Sequence, residues 1–186
     1  PGFSCPSDPT TRGGAGVAGA INYCGVHNDY ESPIDVNQNG VLFLNSSVSE
    51  DDIRDGCSHT IYVMETNVTS TNHGWISGSR ATLRNAVAST SIDKETNSNG
   101  REHVSAKGFH HFASTQQKNP RALEQYETEQ LSKNQFYVGG PSSCHPTGFH
   151  VLMGDGAVRF VSGNIDTNLF RKMAHRADGE LIDDSF

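Results

Sequence analysis

Alternating apolar and polar positions predict β-structure in two parts of the chain. Residues 60–65, TIYVME, are dense in β-branched and aromatic residues and predict a central strand. Residues 149–154 and 157–162 both alternate, and the Asp155-Gly156 pair between them predicts a hairpin with a tight type I′ turn. Turn formation accounts for this aspartate before any catalytic role is considered.

Shorter signals occur in the first half of the chain. Residues 41–44 are a continuous apolar run and predict a short buried strand. Ser49, followed by Asp52 three positions later, resembles a capping box. We therefore expect one helical turn that ends at Gly56.

Two helices are predicted in the second half. Pro120 fits the first position of a helix with Leu123, Tyr126, Gln130 and Leu131 on one face. Asp166 predicts the N-cap of a C-terminal helix that ends at Gly179. The apolar face of that helix consists of Leu169, Phe170, Met173, Ala174 and Ala177, with Ile165 placed to contact Phe170.

These elements predict a loop-rich α+β fold in a single domain, residues 1–186, in which a C-terminal β-hairpin is followed by a helix. The 186 residues are 34% hydrophobic and include 19 glycines, which predicts a modest core. Residues 85–135 are rich in Ser, Thr and Asn, and most of the stretch has few large apolar residues. It is longer than an ordinary connection between two elements. They predict an insertion or a long surface loop that carries one helix.

Charge excludes two classes of partner. The formal charge is -7, and the 14 basic and 21 acidic residues are scattered, so no basic patch is available for nucleic acid or anionic lipid. No apolar run reaches the roughly 20 residues of a membrane-spanning helix. We expect no nucleic-acid partner and no membrane contact by this part of the chain.

The four cysteines favour a protein of an oxidising compartment. Their isolated spacings do not fit a zinc knuckle or a redox dithiol, and two disulfides are the simplest interpretation. A Cys5–Cys24 bond would close a Gly- and Pro-rich loop, and a Cys57–Cys144 bond would join two predicted strand starts. The alternative is four reduced thiols in a cytosolic protein.

A series of motifs runs in order along the chain. The most distinctive is His145, nine further residues, and then Asp155-Gly156. The others are FSCPSDP at 3–9, NGVLF at 39–43, DIRDG at 52–56, GW at 74–75, NID at 164–166 and ADGE at 177–180. Together they resemble a planctomycete prepilin-like family of unknown function. Members of that family usually begin with a prepilin leader and a long hydrophobic helix, so this chain resembles their globular part.

The resemblance implies a pilin-like fold in which an antiparallel sheet packs on a helix. It also implies export to the cell surface or envelope and a role as a surface or pseudopilin-type structural or interaction protein. Other envelope or pilus-like proteins are the implied partners. The resemblance supplies no activity, because an analogy of fold carries no chemistry.

A calcium site is predicted at residues 35–40, DVNQNG. Three oxygen-bearing side chains stand at alternate positions of this half of a calcium loop, namely Asp35, Asn37 and Asn39. The twelfth position is Ser46 instead of glutamate, so Asp29, Glu31 or the acidic cluster at 50–52 would have to complete the ligand set. The alternative is an Asx-rich turn that precedes the strand at 41–44.

A hydrolase of glycans or esters is the rival function. Glu65, at a strand end, and His145 and Asp155, on the hairpin, are the candidate acid/base residues, since strand and hairpin are expected to share a sheet. Residues 142–145 do not form a triad, and no Gly-x-Ser-x-Gly nucleophile elbow occurs. The alternative for Glu65 is a solvated strand end or a partner of Arg159.

Aromatic residues suggest a third function, carbohydrate binding. Trp75, with Tyr23, Tyr30 and Phe109, is a candidate sugar-stacking face, although core packing is the usual fate of a single tryptophan. The Phe109-His110-His111 segment is a candidate metal or ligand site, with a loop anchored by its phenylalanines as the alternative. An extracellular glycan would then be the partner.

Overall fold

A five-stranded mixed sheet organises the chain. A computed structural model describes residues 3–9, 19–68, 75, 79–87, 94–96, 102–104, 120–180 and 182. Its strands are β1 (Tyr23–Asn28), β2 (Ile61–Glu65), β3 (Leu83–Asn85), β4 (Lys94–Thr96), β5 (Glu102–Val104), β6 (Gly148–Met153) and β7 (Val158–Ser162). The main sheet has the order β3-β1-β2-β6-β7, and β4 pairs with β5 as a separate ribbon. The helical segments whose full bounds are described are α1 (Pro120–Lys133), α2 (Thr167–Ala174) and a 3-10 turn at Glu50–Asp52.

The predicted α+β class is confirmed, with one correction to the sheet. Strand β2 occupies its centre, as the sequence of residues 60–65 predicted. The sheet is mixed instead of antiparallel, because β3 pairs with β1 in parallel. A parallel pair needs a crossover, and residues 29–82 supply it by passing through β2 before the chain returns.

Helix α2 covers one face of the sheet and forms the core. The Asp166 side chain accepts a hydrogen bond from the Leu169 N–H, which confirms the predicted N-cap. The rings of Phe149 and Phe170 meet edge to face with centroids 5.4 Å apart. The buried cluster around them includes Val26, Ile61, Met64, Val151, Met153, Val161, Met173 and Ala174.

The predicted end of α2 is wrong. The helix ends at Ala174, because His175 is extended (φ -86°, ψ 133°), so Ala177 lies beyond it. The following residues turn to other partners: the Asp178 and Gly179 N–H groups donate to the Asp55 carboxylate at 2.8 and 2.9 Å. These contacts replace the helical hydrogen bonds that continuation to Gly179 would have made.

The C-terminal hairpin is confirmed, but its turn is not type I′. Such a turn needs positive φ at both central residues, and of the loop residues only Gly156 (φ 87°) has it. The Gly156 N–H donates to the Met153 carbonyl, and the Met153 N–H to the Ala157 carbonyl. The connection is therefore a four-residue loop, 154–157, in which only Gly156 takes the left-handed conformation.

The apolar run at 41–44 is not a strand. The Gly40 N–H donates to the His27 carbonyl and the Leu42 N–H to the Val26 carbonyl, so the segment follows β1 only briefly. Val41 is buried, whereas Leu44 is 43% exposed. The capping box at Ser49 and Asp52, in contrast, is present as predicted and opens the 3-10 turn.

Helix α1 is held by a buried ion-pair network. It begins at Pro120 as predicted, but its buried described side chain is Glu127, with Tyr126 and Leu131 only half-buried. Glu127 contacts Arg84 of β3 at 2.7 Å and Arg80 at 2.8 Å. Charge pairing through Glu127 therefore ties α1 to the edge of the sheet.

The two predicted disulfides are not formed. All four cysteines lie among the described residues, and each is a thiol. The sulfur atom of each contacts a nearby nitrogen or oxygen atom. The Cys24 Sγ faces the Met64 carbonyl across β1 and β2, Cys57 contacts the Tyr62 hydroxyl, and Cys144 contacts the Asn67 amide oxygen. Cys5 lies next to His145.

Within the described residues, no helix has both the length and the apolar character needed to cross a bilayer.

Candidate functional site

One row of side chains crosses the sheet on the face opposite α2. Because side chains alternate along a strand, Glu65 points away from the core that its neighbour Met64 joins. Across the sheet Tyr23 pairs with Glu65, and His150 pairs with Phe160. The backbone N–H of His150 donates to Glu65 Oε2 at 2.8 Å, which joins the two pairs into one row.

Glu65 is the centre of this row. Its side chain is 4% exposed, and its Oε2 accepts hydrogen bonds from the His150 N–H and, at 2.9 Å, from the Ser143 hydroxyl. Its Oε1 lies 3.3 Å from His145 Nε2 and 3.3 Å from His150 Nδ1. The expectation of a solvated strand end or a pair with Arg159 is therefore wrong, since the carboxylate is buried between two imidazoles.

The segment before β6 brings His145 to Glu65. The Ser143 hydroxyl, which donates to Glu65, also accepts the His145 N–H at 3.2 Å. The His145 and His150 rings meet edge to face at 4.9 Å, and the Phe160 ring lies 5.1 Å from that of His150. The two imidazoles are 25% and 40% exposed, so the site opens to solvent through them.

The N-terminal segment contributes Cys5. Its N–H donates to the Asn22 side-chain oxygen at 2.9 Å, while the Asn22 amide donates to Asp8 Oδ2 at 2.7 Å. These buried hydrogen bonds hold residues 5–8 against the start of β1. The Cys5 Sγ thereby lies 3.6 Å from His145 Nε2, and the donor atoms of Cys5, Glu65 and His145 all lie within 4.8 Å of one another.

Two kinds of chemistry fit this arrangement. A carboxylate in contact with an imidazole is a pair suited to proton transfer. A thiol, an imidazole and a carboxylate together are also donors that a transition metal accepts. Thiol nucleophilicity at Cys144 does not fit, because burial raises the pKa of this thiol to about 11 and keeps it protonated at neutral pH.

The structure brings together two of the three predicted acid/base residues. Glu65 and His145 are in contact, whereas Asp155 lies at the tip of the β6–β7 hairpin, where its Oδ1 accepts the Ala157 N–H. The six residues of β6 separate the two ends by roughly 20 Å. Asp155 therefore belongs to the turn and not to this site.

Asn39 and two of the carboxylates expected to complete the calcium site, Asp29 and Glu31, have other partners. The Asn39 amide donates to Asp29 Oδ1 at 2.9 Å, and Arg171 binds Asp29 Oδ2 at 2.8 Å. Glu31 accepts the Val138 and Gly139 N–H groups, and it is therefore engaged elsewhere. The calcium site at Asp35, Asn37 and Asn39 stays a prediction. Two of the carboxylates expected to complete it are engaged by these other groups.

Among the described residues, Tyr23 and Tyr30 of the predicted aromatic face lie far apart. Trp75 is 57% exposed, and its indole covers Gly19. Tyr23 begins β1 and Tyr30 follows its end, so the two lie roughly 20 Å apart. Phe109, His110 and His111 lie outside the described residues. Glycan binding stays a prediction for Trp75.

Sequence reasoning missed three members of the site: Cys5, Ser143 and His150. His150 carried a usable signal, because it alternates with the apolar residues Phe149 and Val151 of a predicted strand and so had to face away from the core. Ser143 and Cys5 reach Glu65 across 78 and 60 positions, respectively, and nothing local in the sequence indicates such contacts.

Comparison with known proteins gives a family but no activity. A family model described as a protein of unknown function (DUF1559) matches residues 1–168. No curated protein and no solved structure is significantly similar to the chain. The chemistry of the site must therefore be argued from its own geometry.

Proposed function

The chain belongs to the DUF1559 family of proteins of unknown function, and on that premise we propose that it is an exported surface or pseudopilin-type structural or interaction protein. Its partners are other envelope or pilus-like proteins. The observation that carries this proposal is the apolar surface of strand β7 at the edge of the sheet.

Strand β7 has the features of a protein-binding edge. Val158 and Phe160 are 67% and 47% exposed, while Val161 on the other face is buried in the core. The strand is last in the sheet order, so the backbone groups of its outer side have no neighbouring strand within the described residues. Edges of this kind pair with strands of other proteins unless charge or covering segments protect them.

A photo-crosslinking residue at position 158 tests the proposal in cells that express the full protein. We expect crosslinked species from position 158, and fewer from the same residue at Val36, which is also exposed but lies in a loop. Equal yields from both positions, or none from position 158, would contradict a role for this edge.

The hydrolase alternative has one specific observation in its favour. Glu65 is buried and in contact with His145, and a carboxylate next to an imidazole is a pair suited to proton transfer. The calcium hypothesis has a separate test. A calcium-dependent rise in melting temperature that Asp35→Ala abolishes would establish it.

A panel of chromogenic esters and glycosides separates the two functions. The structural role predicts no turnover on any substrate. Turnover that disappears in Glu65→Gln but survives in Asp155→Ala would establish the hydrolase, because only Glu65 lies in the site. Asp155→Ala is the matched control, since it removes a carboxylate from the far end of the same hairpin.

A further inference from the structure

We propose that Cys5, Glu65 and His145 form a binding site for a transition-metal ion of the Zn²⁺ type. The site goes beyond the proposed structural function, and it is distinct from the calcium loop at residues 35–40.

The separations of His145 Nε2 from the other two donor atoms match tetrahedral coordination. Zinc binds nitrogen or oxygen at about 2.0–2.1 Å and sulfur at about 2.3 Å, so tetrahedral ligand atoms lie about 3.3 Å apart for N and O and about 3.5 Å apart for N and S. In the structure, His145 Nε2 lies 3.3 Å from Glu65 Oε1 and 3.6 Å from Cys5 Sγ. Two of the three separations thus match the spacing that the ion requires, and the third, between Cys5 Sγ and the Glu65 carboxylate, is within 4.8 Å.

The contacts of Glu65 Oε1 with His145 Nε2 and with His150 Nδ1, both 3.3 Å, are longer than strong hydrogen bonds to a carboxylate. Charge-assisted N–H···O bonds usually measure about 2.7–2.9 Å. Glu65 Oε2 forms bonds of this length with the His150 N–H and the Ser143 hydroxyl, at 2.8 and 2.9 Å. The 3.3 Å separation at Oε1 thus distinguishes the oxygen that faces the cluster from the one that fixes the carboxylate.

The His150 N–H and the Ser143 hydroxyl hold the Glu65 carboxylate in place from outside the ligand set. Metal-binding carboxylates and imidazoles are usually held in place by hydrogen bonds from neighbouring groups. Here Ser143 connects two ligands, since its hydroxyl donates to Glu65 and accepts the His145 N–H. Three protein ligands leave a fourth tetrahedral position, which is the arrangement of zinc sites that bind water or a substrate.

The ligand set also identifies the class of metal. Sulfur and imidazole donors favour Zn²⁺ and related ions over Ca²⁺ and Mg²⁺, which prefer oxygen. Binding converts the Cys5 thiol into a thiolate and releases its proton to solvent. The ion would join three segments that are distant in sequence: the N-terminal residues, β2 and the segment before β6.

Cobalt titration of the reduced, metal-free protein tests the proposal. Cobalt(II) takes the place of zinc and gives a thiolate charge-transfer band together with intense visible bands when its coordination is tetrahedral. We expect one equivalent of cobalt to produce both, zinc to displace it, and Cys5→Ser to abolish the charge-transfer band. Cys57→Ser is the matched control and retains it, because Cys57 contacts Tyr62 elsewhere.

Glu65→Gln and His145→Gln should each weaken zinc binding at least tenfold in a competition with a chromophoric chelator. A charge-transfer band that persists in Cys5→Ser, or cobalt that binds without such a band, would overturn the site. If Cys5→Ser does not fold, X-ray absorption of the zinc-loaded wild-type protein decides the question. One sulfur neighbour supports the proposal, and none refutes it.

Discussion

His27 makes the stability of the protein depend on pH. The ring is fully buried in β1, and neither of its nitrogens has a hydrogen-bond partner within the described residues. Burial lowers the pKa of this imidazole from 6.5 to about 4, because the charged form would lose its hydration. The folded protein therefore holds His27 neutral over a pH range in which the unfolded chain protonates it.

The sign of the effect follows from proton binding. Between pH 6.5 and 4 the unfolded chain binds more protons at this residue, so the free energy of unfolding falls as pH falls. The part of the free energy of unfolding that depends on a neutral His27 is fully present above pH 6.5 and is lost as pH falls towards 4. At about 1.4 kcal/mol per pKa unit, it amounts to about 3 kcal/mol.

Urea unfolding at pH 7.0 and 4.5 measures this dependence. His27→Gln should lose less stability between the two pH values than the wild-type protein does. An identical loss in wild type and His27→Gln would show that other groups control the acid response.

Gly40 has a packing role within the predicted calcium loop. A Cβ atom at this position would lie 2.4 Å from the Val26 carbonyl oxygen and 2.7 Å from the His27 carbonyl carbon. The glycine lets the loop approach β1 closely enough for its N–H to bond the His27 carbonyl at 3.0 Å. Close approach, and not only the turn of a calcium loop, explains this residue.

Gly40→Ala should therefore lower the free energy of unfolding by about 1–3 kcal/mol, the usual cost of forcing an atom into a packed site. The loss should be the same with calcium and with a chelator. A loss that appears only in the presence of calcium would restore the calcium explanation.

At the scale of elements, the Arg80–Glu127–Arg84 network attaches α1 to the sheet. Arg84 and Glu127 are both 1% exposed. Removal of one partner of a buried pair leaves an uncompensated charge, which costs about 3–5 kcal/mol.

Glu127→Ala should produce a loss of this size in chemical unfolding. Alanine keeps a high helix propensity, so weakening of α1 itself cannot explain the result. Glu129→Ala is the control, because the exposed pair of Glu129 with Lys133 contributes little. Equal effects of the two substitutions would show that the network does not hold the helix.

Elements whose determinants are local could be predicted from the sequence. Strand β2, the β6–β7 hairpin, the Asp166 cap and the start of α1 at Pro120 each depend on residues that are adjacent or a few positions apart. The prediction of the hairpin turn type was wrong, because only Gly156 has a positive φ and the Asp155 side chain instead accepts the Ala157 N–H within a longer loop. The prediction of a strand at 41–44 was wrong, because only two backbone hydrogen bonds, from Gly40 and Leu42, join this part of the chain to β1.

The site was predictable only in part. Contact between Glu65 and His145 followed from the expectation that the central strand and the hairpin share a sheet. Cys5 was assigned to a disulfide, because its approach to His145 spans 140 positions and depends on buried hydrogen bonds of Asn22. Arg84 and Glu127 left no sequence signal, since charged residues 43 positions apart are usually both exposed.

At the scale of the whole molecule, the two faces of the sheet have different roles. One face packs on α2 and forms the core. The other face carries the Glu65 site. Near the β7 edge of this face the Phe160 ring contacts the His150 ring, and Val158 is exposed. The proposed binding edge and the proposed metal site are therefore neighbours on one surface.

The size of the particle that contains the protein in native envelope extracts tests the interaction role most directly. A double variant, Val158→Thr with Phe160→Thr, keeps β-forming residues but removes the apolar surface. We predict that the wild-type protein migrates in an assembly larger than the single chain and that the double variant, folded to the same melting temperature, leaves it. A wild-type protein that migrates as a single chain, or a double variant that stays in the assembly, would contradict the account.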